Sequence, residues 1–71
     1  MQSRRDREVV LQALIEKYVA RVPRVRRANS IPSLVDILTR QVMFERPRLS
    51  YKEAMDLALA DEDVLRAYAD S

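Results

Sequence analysis

The chain has no glycine, no cysteine and no histidine, and each absence removes a class of protein. Without glycine, β-hairpin turns of types I′ and II′ lose the residue that normally supplies their positive φ, and glycine-rich phosphate loops cannot be built. Without cysteine there is no disulfide, and without cysteine or histidine no structural zinc site, so the usual staples of a small domain are missing. The same absences remove the commonest general base and the thiol nucleophile, and with them any Ser-His-Asp arrangement. Enzymatic activity is therefore not expected, and no cofactor is implied. Long apolar runs are lacking too. Residues 9–11 and 13–15 fall far short of the ~20 residues of a membrane span, and the polar start M-Q-S-R-R-D-R lacks the apolar core of a signal peptide. The expectation is a cytoplasmic protein, or one packaged within a virion, without a membrane partner.

What is present is a mixture of 48% apolar and 34% charged residues in 71 positions. That is too hydrophobic for a disordered chain and suits a single amphipathic helical domain, residues 1–71. A chain so short buries little surface relative to the entropy of ordering it. With staples excluded, association remains as the remedy, so a protein partner or self-association into an oligomer is expected. The net charge is only +2, but it is unevenly spread. Residues 1–29 carry eight basic and three acidic groups, residues 30–49 three and two, and residues 50–71 two and six. A basic head and an acidic tail can attract a polyanion at one end and another protein, or a second copy, at the other. Eleven arginines against two lysines are explained as readily by codon usage as by function.

Apolar spacing near 3.6 predicts an all-α fold of three helices with a short fourth helix, or a helix extension, at the C-terminus and no β-sheet. The first helix spans about 4–21, opening after Ser3 with Asp6 as its capping partner. Its stripe is Val10, Leu11, Leu14, Ile15, Tyr18, Val19 and Val22, and Pro23 ends it by disfavouring helical angles at Val22. The second spans about 30–46, opening at Asn29 or Ser30 with Pro32 tolerated in its first turn. Ser33 with Asp36 is an alternative cap. Ile31, Leu34, Val35, Leu38 and Val42 form its stripe, widened by Ile37, Met43 and Phe44, and Pro47 closes it. The third spans about 50–60 from the capping box Ser50-Tyr-Lys-Glu53. Asp61 reads as the N-cap of a fourth helix at about 62–69, with Glu62 and Asp63 at its positive end. The third and fourth read equally well as one continuous helix.

Two segments carry candidate binding chemistry. The basic connector 22–29, together with Arg21, offers Arg21, Arg24, Arg26 and Arg27 to a partner or polyanion. Arginines along an extended segment reach successive phosphates; in the blander reading they are solvated or meet carboxylates, with Asp61, Glu62 and Asp63 of another subunit as the acidic counter-surface. No aromatic residue is interleaved with them, which disfavours stacking on single strands. A helix-turn-helix is disfavoured by the length of the connector and by Glu53 and Asp56 on the third helix. Asp56 and Asp61–Asp63 are the chain's one conceivable Mg²⁺ or Ca²⁺ cluster, but an EF-hand loop needs a central glycine, and helix capping explains these acids better; no metal is expected. Tyr18, Tyr51, Tyr68, Met43, Phe44 and Met55 are either core or a partner surface.

The stretch S-Y-K-E-A-M-D-L-A-L-A-D-E-D-V-L-R-A-Y-A, residues 50–69, resembles short helical segments of phage head and maturation proteins. These share a Ser-Tyr-x-Glu-Ala start, an acidic turn and Leu-x-x-Tyr; a proline is frequent in that turn where this chain has Asp63. The resemblance implies a small virion or assembly component. The leading expectation is a non-enzymatic helical protein–protein interaction or assembly component. Its rivals are a nucleic-acid-associated protein using the basic half, and a small inhibitor of a larger enzyme.

Overall fold

The computed structural model describes the backbone of residues 4–71 and the side chains of residues 6–71. Helix α1 is Arg4–Tyr18, a 3₁₀ turn covers Pro23–Arg27, α2 is Ile31–Glu45, α3 is Tyr51–Ala58 and α4 is Glu62–Ala69. No strand occurs among the described residues, and the fold is all-α. The cap expected of Ser3 lies outside the described residues.

No described residue has a positive φ, so the helices end without the left-handed glycine that commonly stops them. Proline does this work twice. Val22 precedes Pro23 at φ −132°, ψ 79°, and Arg46 precedes Pro47 at φ −131°, ψ 78°, both pushed out of the helical region by the following ring. The first helix stops at Tyr18 rather than near residue 21. There the amides of Arg21 and Val22 both donate to the Tyr18 carbonyl, at 3.0 and 2.8 Å, closing the last turn before the proline.

The helix starts are set by side chains. Ser30, not Asn29, caps α2, and its box partner is Ser33: the Ser33 amide donates to Ser30 Oγ at 3.2 Å and the Ser30 amide to Ser33 Oγ at 3.2 Å. The alternative pairing of Ser33 with Asp36 is not formed. Asp36 instead accepts from Tyr51 at 2.7 Å and from Arg40 at 3.0 Å, tying the start of α3 to α2. Ser50 and Glu53 form the box at α3. Asp61 accepts from the Asp63 amide at 2.9 Å and starts α4 as a separate helix after a turn at residues 59–61.

The core is organised on α2, which packs most extensively on α3 and also touches α1, α4 and the 3₁₀ turn. Its Leu34 and Val35 are sealed together with Val25 and Val64, each such burial contributing about 1.5–3 kcal/mol. Ala54 and Ala58 are the buried residues of α3, small enough to let its backbone lie close to α2. Thr39, buried on the same helix, donates its hydroxyl to the Val35 carbonyl at 2.7 Å, so its oxygen is satisfied. The thinnest dimension is 16 Å, matching two layers of helices about 8–10 Å apart. Two layers enclose few side chains on every side, and this leaves large apolar groups outside.

Candidate functional site

The arginine-rich stretch is not extended. Val22, Val25, Ala28, Ile31 and Leu34 are all buried, at a spacing of three, which is the period of a 3₁₀ helix. Val25 is 0% exposed and bolts the turn to the core. That leaves Arg24, Arg26 and Arg27 outside, all exposed, with Arg24 and Arg27 stacked in one column three residues apart. The segment leaves the end of α1 and runs back along it, bringing Asn29–Pro32 opposite Arg7 and Val10 across a cleft of about 400 Å³. Among the described residues, none of these three arginines forms an ion pair or side-chain hydrogen bond.

The acidic tail is engaged elsewhere. One carboxylate oxygen of Asp61 caps α4; the other accepts from the Tyr18 hydroxyl and from Lys17 Nζ, the latter at 2.7 Å. Lys17 also reaches Asp63 at 3.2 Å. Within the chain, Asp61 and Asp63 of the expected counter-surface meet Lys17. Glu62 remains exposed at the start of α4. Arg21 joins the group only through the Tyr18 ring, its guanidinium 5.3 Å from the ring centre, with Lys17 5.8 Å from it, both within cation–π range.

These contacts fix the protonation states. The hydrogen bond from Lys17, then that from Tyr18, lowers the Asp61 carboxyl to about 2. Burial, then the bond to Asp61, pushes the Tyr18 phenol up to about 12. The bonds to Asp61 and then Asp63 raise Lys17. Groups held so far from neutrality do not exchange protons near pH 7; the cluster acts as a latch between α1 and the start of α4. Asp56 lies exposed on α3, and no group of three acidic side chains among the described residues is arranged to hold a metal ion.

A third feature is apolar. Phe44 is 75% exposed and Val9 62%, with Leu65 and Leu57 close to half exposed. Of the aromatic and methionine residues singled out in the sequence, Tyr18, Met55 and Tyr68 pack against the core, Tyr51 lies at the surface bonded to Asp36, and Phe44 stands in solvent. Between the end of α1, the second half of α2 and the end of α3 lies a cleft of about 250 Å³. Val22, Leu38, Val42 and Leu57 give it apolar walls, and Arg21, Glu45 and Asp61 contribute charge.

Lys17 was not legible as a site residue, since nothing local to it distinguishes a lysine that meets a distant cap from one in solvent. No described helix is long and apolar enough to cross a membrane. No family model, curated protein or solved structure matches the chain.

Proposed function

We propose that the chain is a non-enzymatic helical interaction or assembly protein that works by binding other protein chains, a second copy of itself first among them. The observation that carries this reading is Phe44, an aromatic side chain left 75% exposed on the central helix. Exposed aromatic side chains are typical anchors of protein interfaces. Leu57 of α3, close to half exposed, lines the cleft between α1, α2 and α3 and is a second apolar group left at the surface. A two-layer chain without disulfide or zinc gains stability when a partner covers such groups. The likeness of residues 50–69 to segments of phage head and maturation proteins fits an assembly role, in the cytoplasm or within a virion.

The test is sedimentation of the wild type and of Phe44→Asp at micromolar concentration. The wild type should sediment as a dimer or larger, and the variant should shift towards monomer while keeping its helical circular dichroism. An unchanged mass in the variant removes Phe44 from the interface.

A further inference from the structure

We propose that the 3₁₀ turn Pro23–Arg27 docks the sugar–phosphate backbone of duplex nucleic acid, with Arg24, Arg26 and Arg27 as the phosphate contacts. The turn is rigid where a binding element needs to be: Val25 is 0% exposed, and Val22 and Ala28 on either side are buried as well. Every apolar side chain of residues 22–28 except Pro23 therefore points into the protein, and the outer face consists of arginine with Pro23 and Asn29 at its ends. A protein partner normally requires an apolar centre at its interface, and this face has none. A polyanion requires only cations, and arginine's planar fork suits phosphate oxygens.

The charge on this face is available. Asp61 and Asp63 of the acidic tail are held by Lys17, and none of the three arginines has a carboxylate partner among the described residues. In a 3₁₀ helix Arg24 and Arg27 are offset by about 6 Å along the axis, within side-chain reach of consecutive phosphates, which advance about 3.4 Å along each strand of a duplex. Arg7 lines the cleft beyond Asn29 together with Glu8 and Asp70, so the basic surface is that of the turn itself. Bases are not read by stacking, since no aromatic residue lies in residues 22–29, which favours duplex backbone over single strands. With contacts confined to the phosphate backbone, binding is independent of sequence. This surface is separate from Phe44 and is tested separately from self-association.

The experiment measures anisotropy of a labelled mixed-sequence duplex, the corresponding single strand and a labelled polyglutamate against the full chain over a range of salt. The variant R24Q/R26Q/R27Q is compared with the wild type, and a circular dichroism melt verifies folding. The wild type should bind duplex most tightly, with log K linear in log salt, and the triple variant should reduce that slope by about 2.7, or about 0.9 per phosphate contact. If the triple variant melts early, R26Q alone should reduce the slope by about 0.9. An unchanged slope in the folded variant overturns the proposal. So does tighter binding to polyglutamate, which assigns the patch to an acidic protein, or to the single strand.

Discussion

Lys17 Nζ lies 2.7 Å from the same Asp61 carboxylate oxygen that accepts the Tyr18 hydroxyl, while the other oxygen of Asp61 caps α4. One side chain thus starts the last helix and fastens it to the first. Replacing Asp61 by Ser keeps a capping oxygen but removes the latch, whereas Asp61→Ala removes both. Asp61→Ala should destabilise by about 1 kcal/mol more than Asp61→Ser, and both should melt below the wild type. If Asp61→Ser melts with the wild type, the latch contributes nothing to stability.

The latch sets a stability window at low pH. The folded Asp61 carboxyl titrates at about 2 against an ordinary 3.8, so the unfolded chain takes up this proton first. The stabilisation is complete above about pH 4 and is lost as pH falls towards 2. Asp36, lowered chiefly by the hydrogen bond from Tyr51, acts in the same direction. Melting temperature measured across this range should fall in the wild type and fall less steeply in Asp61→Asn.

At high pH the sign reverses. Tyr18 keeps its proton up to about 12 in the folded chain, whereas the unfolded chain releases it near 10. Stability from this group is present below pH 10 and is lost as pH rises towards 12. Ultraviolet titration should show a late tyrosinate step that disappears in Tyr18→Phe; a Tyr18→Phe chain that retains the step places it on another tyrosine.

Helix α3 has only eight residues, too few to hold without its cap and packing. Ser50→Ala should cost about 1 kcal/mol, read as a shift in the midpoint of chemical unfolding. An unshifted midpoint refutes the assignment of that helix start.

Thr39 gives the opposite kind of test. Its hydroxyl donates to a carbonyl that already belongs to the helix, so Thr39→Val leaves no buried polar atom without a partner and should be neutral or stabilising. Thr39→Ser, which deletes a buried methyl group, should destabilise by about 1 kcal/mol. The reverse order would show that the hydroxyl does more than satisfy itself.

What was legible in the sequence was local. Ser50 with Glu53, Asp61 before Glu62 and Asp63, and the proline at 47 declare helix ends by chemistry within a few residues, and the structure has them there, whereas α1 ends at Tyr18, short of Pro23. The 3₁₀ turn was not read from the sequence: the spacing of Val22, Val25 and Ala28 matches its period, but a segment of arginines around a proline is naturally taken as an extended connector. The latch was not legible. Lys17 and Asp61 are 44 positions apart in sequence, and their meeting depends on how α4 packs on α1, which no periodicity records. Phe44 was in the apolar list of α2, but its side of the helix faces outward because only two layers of helices exist to cover it.

The native mass in solution tests the central claim most directly, that this chain acts by covering its apolar surface with protein. Sedimentation equilibrium across the micromolar range should return at least twice the 8.3 kDa of one chain, falling towards it on dilution. A species that stays at 8.3 kDa throughout and melts cooperatively would contradict the account, since the chain would then be stable with Phe44 and Leu57 in water.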